Sequence, residues 1–180
     1  MLLDTGKFLK VENHVVELPD GQVIDNWPWV ITPDYVNVVA LTSDQKFICF
    51  RQVKYAVEGT SLAIVGGFID PGEKPLAAAM RELSEETGFE AVRWIALGEY
   101  SVDANRGAGK GSFFLAMDAE KVGEPKSDDL EEQELVFLTR KEVLRALIEG
   151  EFKVLSWTAA LALAMIRLSD LDEAGNRNSA

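Results

Sequence analysis

Residues Gly67–Phe89 read GFIDPGEKPLAAAMRELSEETGF, and most of the chemistry that this sequence predicts lies within this stretch. It places Glu82, Glu85 and Glu86 in one turn of a predicted helix, directly after Arg81. Because a helix turns about 100° per residue, the three carboxylates fall on one face. Carboxylates this close repel one another unless a cation lies among them, and Mg²⁺ or Mn²⁺ suits such oxygen ligands. A solvated acidic face has the same spacing, so spacing alone leaves both interpretations open.

The same stretch predicts a helix that buries one side. Leu76, Met80 and Leu83 form an apolar stripe roughly 130° away from the glutamates. Pro75 suits the first helical turn, where its missing N–H costs nothing, and Gly88 occupies the position that a C-terminal cap favours. We therefore expect a helix that begins near Pro75, ends at Gly88 and packs through the stripe.

The stretch resembles the Nudix hydrolase signature, G-x5-E-x7-R-E-U-x-E-E-x-G-U, where U is aliphatic or aromatic. Every fixed position is matched, by Gly67, Glu73, Arg81, Glu82, Leu83, Glu85, Glu86, Gly88 and Phe89. The resemblance implies a Nudix fold and hydrolysis of a nucleoside diphosphate linked to another moiety, on a loop–helix–loop that holds Mg²⁺, for which Mn²⁺ can substitute.

The resemblance also implies roles for individual residues of the signature. Glu82, Glu85 and Glu86 are the expected metal ligands, joined by the backbone carbonyl of Gly66. Arg81 lies at i,i+4 from Glu85 and is expected to orient this catalytic carboxylate through a bidentate pair, with direct contact to a substrate phosphate as the alternative.

A general base for the attacking water is expected outside the helix. In the ADP-ribose pyrophosphatase branch of the family, a glutamate in the loop equivalent to the acidic segment 128–134 acts as base or additional metal ligand. Counting back from the predicted strand Leu135–Leu138 favours Glu131 as this catalytic residue, followed by Glu132. A merely solvated loop is the alternative.

Two further segments bear on the substrate. The segment Phe50–Tyr55, FRQVKY, resembles the RQ-x-R segment of ADP-ribose and nucleoside-diphosphate-sugar pyrophosphatases. It implies that Arg51 and Gln52 bind substrate, Arg51 by contacting a phosphate or stacking on the base. Trp27 and Trp29 are two residues apart and share one strand face, where they form either a base-stacking wall or the core of a dimer.

The chain departs from that branch at two places. Residues 61–67 read SLAIVGG, where the branch has a glutamate and a proline before its glycine turn. The proline that often marks ADP-ribose specificity is also missing, and the glycine-rich segment Asp103–Gly111 stands in its place. Arg106 in this segment is expected to contact the distal phosphate or sugar, unless the segment is a plain surface loop.

These departures favour a broad Mg²⁺-dependent hydrolase of nucleoside diphosphate sugars over a dedicated ADP-ribose enzyme. A house-cleaning nucleoside triphosphate pyrophosphohydrolase is the alternative enzyme, and a nucleotide-sensing module without turnover is the alternative from another class.

The rest of the chain predicts an α+β protein, an α/β/α sandwich with a mixed central sheet and a small N-terminal antiparallel sheet. The predicted elements are strands at Tyr35–Leu41, Phe47–Val53, Leu62–Val65, Ala91–Glu99, Gly111–Met117 and Leu135–Leu138, a helix from the Thr139 cap to about Ile148, and a helix from Ser156 to about Leu171. We divide the chain into an N-terminal β-subdomain over 1–35, a Nudix domain over 36–172 and a flexible tail over 173–180. The resemblance implies that the N-terminal sheet is exchanged in a homodimer.

Composition narrows the classes of partner. Lys and Arg total 18 against 30 Asp and Glu, which gives a net charge of −12 and argues against a nucleic-acid partner. With only Cys49 and His14, a disulfide, a multi-cysteine metal site or a histidine-based triad is not expected. The longest apolar stretch, WTAALALAMI, is too short to span a bilayer, and the N-terminus lacks the apolar region of a signal peptide. We therefore expect a cytoplasmic protein with no membrane partner.

Overall fold

The computed structural model describes residues 1–126 and 133–178, and its strands form one mixed sheet. The strands are β1 (Leu3–Asp4), β2 (Lys10–Glu17), β3 (Val23–Ile31), β4 (Tyr35–Thr42), β5 (Phe47–Val53), β6 (Thr60–Ala63), β7 (Val65–Phe68), β8 (Phe89–Asp103), β9 (Gly107–Lys121) and β10 (Gln133–Leu138). The helices are α1 (Pro75–Thr87), α2 (Arg140–Ile148) and α3 (Leu155–Asn178).

The described strands follow the order β1-β2-β3-β9-β4-β5-β10, with β6 paired to β5, β7 to β4 and β8 to β9. Strand β9 runs parallel to β3 and β4, and the other pairs are antiparallel. The predicted mixed sheet is thus confirmed. The N-terminal strands β1–β3 pair in antiparallel fashion and join the rest of the sheet through Val30 and Gly107.

Helices cover both faces of the sheet. Strand β4 alternates its side chains, so that Val38 and Ala40 pack with α1, while Val39 and Leu41 pack with α2 and α3. The core therefore has two halves separated by the central strands, which confirms the predicted α/β/α sandwich. Among the described helices, none combines the length and the apolarity that crossing a bilayer requires.

The bounds of α1 agree with the prediction, but its buried face differs. Gly88 caps the helix with φ 73° and donates its N–H to the Ser84 carbonyl. Leu83 is fully buried, whereas Leu76 and Met80 are 42% and 49% exposed, so the prediction that all three pack inward is wrong for two of them. The helix contacts the sheet through small residues, Ala78 and Ala79, together with Leu83 and Thr87.

The two C-terminal helices begin close to their predicted positions. Thr139 caps α2 as predicted, and the structure adds a reciprocal capping box with Glu142. Helix α3 continues to Asn178, past the predicted end at Leu171, so residues 173–178 are helical although the sequence assigned them to a tail. The division of the chain at residue 35 stays a prediction.

One predicted strand is divided in the structure. The segment Leu62–Val65 belongs to two strands, β6 and β7, which are separated at Ile64 and pair with different neighbours. This division matters for the site, because it carries the chain from β5 across to β4.

Candidate active site

The site is built where β4 and β5 diverge. These strands pair only through Ala40 and Leu41 of β4, whereas the first half of β4, Tyr35–Val38, pairs with β7. Strand β6 pairs with β5, so β6 and β7 together bridge the widening space between the two central strands. This crossing brings the Gly66–Gly67 pair against helix α1.

Two helix carboxylates lie against this glycine pair. Glu86 Oε2 accepts a hydrogen bond from the Gly66 N–H at 3.2 Å. A Cβ atom on Gly67 would overlap the Glu82 carboxylate, and one on Gly66 would overlap the Asn37 side chain. Glycine is required at Gly66, because a Cβ atom there would also lie 2.7 Å from the Val36 carbonyl oxygen, whereas at Gly67 the obstacle is the end of the Glu82 side chain.

Arg81 connects the helix to the loop before it. Its Nε and Nη2 donate to the two carboxylate oxygens of Glu73 at 3.0 and 2.9 Å. Its Nη1 donates to Glu82 at 2.7 Å and to Glu85 at 3.1 Å, while Nη2 also reaches the Phe68 carbonyl at 3.0 Å. The bidentate pair that the sequence suggested with Glu85 is made with Glu73 instead.

The position of Glu73 explains this choice of partner. Its Oε2 accepts the Asp70 N–H at 3.0 Å, and its own N–H donates to the Asp70 carbonyl at 2.9 Å. The carboxylate is thereby held with both oxygens towards the guanidinium of Arg81. Hydrogen bonds from Arg81, with a smaller one from the Asp70 N–H, keep the pKa of Glu73 below its ordinary value against the opposing effect of partial burial. The Glu73 bonds in turn raise the pKa of Arg81.

The carboxylates have the oxygen chemistry that a hard divalent cation needs, with Glu82 and Glu86 both beside the Gly66–Gly67 backbone. Over residues 1–126 and 133–178, no three acidic, histidine or cysteine side chains converge closely enough to hold a metal as they stand. Arg81 binds two of the three helix glutamates in this arrangement. The predicted metal ligands remain a prediction. They are Glu82, Glu85, Glu86 and the Gly66 carbonyl, and their oxygen atoms are donors that suit Mg²⁺.

Arg51 and Gln52 lie at the end of β5, beside a cavity of ≈ 710 Å³. The cavity is lined by Arg51, Gln52, Val53, Tyr55, Thr60, Gln133 and Glu134. Gln52 continues the strand face of Phe50, which packs with α1, and is buried, whereas Arg51 is exposed on the opposite face. The cavity therefore wraps around the strand end and takes in residues from both faces.

Trp27, Trp29 and Arg106 lie at a different place, where the N-terminal strands meet the β8–β9 turn. Trp27 Nε1 donates to the Asn105 carbonyl at 2.6 Å, and Trp27 and Arg106 line a small cavity of ≈ 210 Å³. The Trp29 ring stacks on His14 with centroids 5.4 Å apart. The predicted substrate-binding residues thus form two groups, one at β5 and one at this turn.

The predicted general bases Glu131 and Glu132 lie outside the described residues. The chain on either side of them is described: Lys126 donates its N–H to the Glu85 carbonyl at 2.7 Å, and Gln133 pairs with Gln52 across the sheet. The described residues that flank this segment thus lie at the end of α1 and beside the Arg51 cavity.

Sequence reasoning missed two residues near the site. Tyr55 lies at the Arg51 cavity, and its position as the last residue of the FRQVKY segment could have indicated this. Asn37 is 3% exposed in the apolar strand β4, behind Gly66, and its Oδ1 has no hydrogen-bond partner among the described residues. A polar residue within the apolar run of β4 is the sequence feature that could have pointed to Asn37.

Comparison with family models matches residues 32–158 to the NUDIX domain. Among curated proteins, the chain is 34% identical over 93 residues to the "Methanol dehydrogenase activator" of Bacillus methanolicus, covering 51% of this chain and 50% of that protein. It is 36% identical over 89 residues to the "ADP-ribose pyrophosphatase" of Bacillus subtilis (strain 168), covering 49% and 48%. The chain thus spans about half the length of these two relatives.

A solved structure described as "Crystal structure of ADP compounds hydrolase" superposes with a TM-score of 0.80 at 24% identity. The superposition covers 94% of this chain and 91% of the other, which establishes the fold.

Proposed function

The chain belongs to the Nudix family, and from this membership we propose that it hydrolyses the pyrophosphate bond of nucleoside diphosphate sugars, such as ADP-ribose or GDP-mannose. The products would be a nucleoside monophosphate and a sugar phosphate. Mg²⁺ is the proposed cofactor, and Mn²⁺ would substitute for it. The similarity to a protein named ADP-ribose pyrophosphatase supports this substrate class.

The proposal depends on the arrangement of the complete signature. Arg81 joins its loop to its helix, and the carboxylates of Glu82 and Glu86 lie against the Gly66–Gly67 pair. Arg81 donates five hydrogen bonds to side chains and backbone of this signature. Because the Arg81 guanidinium already makes these hydrogen bonds, its role is to position the carboxylates. Binding of the substrate phosphate then falls to another cationic side chain. We assign phosphate contact to Arg51, which is exposed in its cavity.

The proposed cation would be held by Glu82, Glu85, Glu86 and the Gly66 carbonyl, and when bound it neutralises diphosphate charge and polarises a phosphoryl oxygen. The chain's own contribution is to hold Glu82 and Glu85 through Arg81, and to hold Glu86 through the Gly66 N–H. Glu131 is the proposed base that takes the proton of the attacking water, with Glu132 as the second choice.

The test is a substrate panel read out by product identity. Purified protein is incubated with ADP-ribose, GDP-mannose, UDP-glucose and a deoxynucleoside triphosphate, each with Mg²⁺, with Mn²⁺ and with a chelator. We expect release of two phosphomonoesters from the diphosphate sugars, only when metal is present. Pyrophosphate release confined to the triphosphate would select a triphosphate pyrophosphohydrolase instead, and binding without turnover would select a sensor.

A further inference from the structure

Two exposed side chains beside the Arg51 cavity make no polar or ring contacts of their own in the described part of the chain. Arg51 and Tyr55 both line it, and within residues 1–126 and 133–178 neither side chain has a hydrogen bond, an ion pair or a ring contact. Tyr55 is fully exposed, and Val53 beside it is 56% exposed. The cavity volume of ≈ 710 Å³ falls within the usual range of small-ligand sites, about 300–1,000 Å³.

The turn that carries Tyr55 is tied down at its base. The Val57 N–H donates to the Lys54 carbonyl at 2.9 Å, which closes the turn around Tyr55. Lys153 Nζ donates to the Glu58 carbonyl at 2.6 Å, and the Lys153 N–H donates to Ser61 Oγ at 3.1 Å. Because the backbone is already held, a ligand that covers the ring has less conformational entropy to remove from the turn.

The chemistry of the lining suits a nucleotide. A guanidinium binds phosphate oxygens, and an aromatic ring offers a flat apolar face that matches the face of a base. Glu134, which lies directly opposite Arg51 in the strand register, adds a carboxylate that can accept hydrogen bonds from a base amine or a ribose hydroxyl. A charged diphosphate without a base has no flat face to stack on the Tyr55 ring, so Tyr55 would contribute little to its binding.

We propose that Tyr55 is a specificity-determining residue that stacks on the nucleobase of the substrate while Arg51 binds its phosphate. This inference rests on the proposed function, because it names the part of the same site that recognises the base. Stacking scales with the ring area covered, so purine substrates depend on Tyr55 more than pyrimidine substrates do.

The experiment compares Tyr55→Ala, Tyr55→Leu and Tyr55→Phe with the unmodified chain. Kinetics use ADP-ribose and UDP-glucose, and calorimetry measures binding of AMP and of phosphoribosyl diphosphate, which carries a diphosphate and no base. We expect the Ala and Leu variants to raise KM for ADP-ribose and Kd for AMP at least about fivefold. The Phe variant stays near the unmodified values, kcat changes little in all three, and phosphoribosyl diphosphate binds equally well throughout.

The control is Ile148→Ala, which removes an exposed apolar side chain at the end of α2, outside the cavity. It leaves KM, Kd and the thermal midpoint unchanged. Equal binding of AMP by Tyr55→Ala and the unmodified chain overturns the inference, as does an equal loss for phosphoribosyl diphosphate. If the unmodified chain hydrolyses the panel and only the Tyr55 effect is missing, the proposed function stands, whereas a chain that hydrolyses no nucleotide overturns both.

Discussion

Arg81 is the residue through which the loop and the helix of the signature are joined. Its side chain is only 28% exposed, and it pairs with three carboxylates whose mutual repulsion would otherwise weaken the fold. The two-oxygen contact with Glu73 is the most specific of these pairs, because a planar guanidinium matches a carboxylate in that geometry. Glu73 is therefore a structural residue in this arrangement.

The first residue-scale prediction concerns Glu73 and pH. Its pKa in the folded protein lies below the ordinary value of 4.5, so the ionised side chain stabilises the fold above that pH and the contribution is lost as the pH falls through the lowered pKa. We expect Glu73→Gln to lower the free energy of unfolding by about 1–3 kcal/mol at pH 7. Denaturant unfolding at several pH values would show this difference shrinking below pH 4.5.

The control for that measurement is Glu17→Gln, the same change at an exposed glutamate. Its effect stays within about 0.5 kcal/mol. A Glu73→Gln difference that stays constant down to pH 3 would contradict the role given to the Arg81 pair.

The second residue-scale prediction concerns Glu85. Its side chain is 49% exposed, so Glu85→Gln keeps the fold, and circular dichroism and the thermal midpoint stay close to the unmodified values. We expect kcat for the best substrate of the panel to fall at least about 100-fold, because a neutral amide is a poor ligand for a hard cation. Glu90→Gln, an exposed glutamate three residues beyond the helix, is the matched control. Near-normal turnover in the Glu85 variant would remove this residue from the proposed metal site.

At the scale of the element, α1 shows how packing selects among residues with the same spacing. The 3.6-residue period groups Leu76, Met80 and Leu83 on one stripe, yet only Leu83 is buried. The contact with the sheet is made through Ala78 and Ala79, which let the helix approach closely. Close approach also brings Glu82 and Glu86 to the Gly66–Gly67 backbone.

The element-scale prediction compares two leucines of this stripe. Leu83→Ala should lower the free energy of unfolding by about 2–5 kcal/mol, because it leaves a cavity between the helix and the sheet. Leu76→Ala, the same change at a 42% exposed position, should cost about 0.5 kcal/mol or less. Denaturant midpoints of the two variants provide the measurement. Equal losses would mean that the N-terminal half of the helix packs more tightly than the structure shows.

At the scale of the whole molecule, the N-terminal strands carry apolar side chains with little cover. Leu3, Val15 and Val23 are 46%, 69% and 52% exposed. The tryptophans of β3 tie these strands to the β8–β9 turn. Apolar side chains exposed on successive strands of this kind are typical of a contact surface.

The prediction at this scale is the homodimer that the sequence suggested. Sedimentation at micromolar concentration should give a mass of about twice 19.9 kDa. A protein lacking residues 1–34 should sediment as a monomer, because it has lost the apolar strands. A full-length chain that remains monomeric at high concentration would contradict the prediction.

The sequence by itself determined the features that depend on neighbours in the chain. The bounds of α1, its glycine cap and the Thr139 cap of α2 were predicted correctly, because caps and helical periods are set within a few residues. The grouping of Arg81 with the helix glutamates follows from the same local geometry. The family signature then identified the fold.

Only the tertiary structure decided the features that depend on residues far apart in the chain. It divided one predicted strand into β6 and β7, gave Arg81 its bidentate partner in Glu73, and separated Arg51 from the tryptophans. The physical reason is that strand pairing, burial and the choice of ion-pair partner depend on contacts between segments that are distant in the sequence and meet only on folding. A period of 3.6 or 2 residues predicts which side chains share one face of a helix or strand. Which other element packs against that face is determined by the tertiary structure.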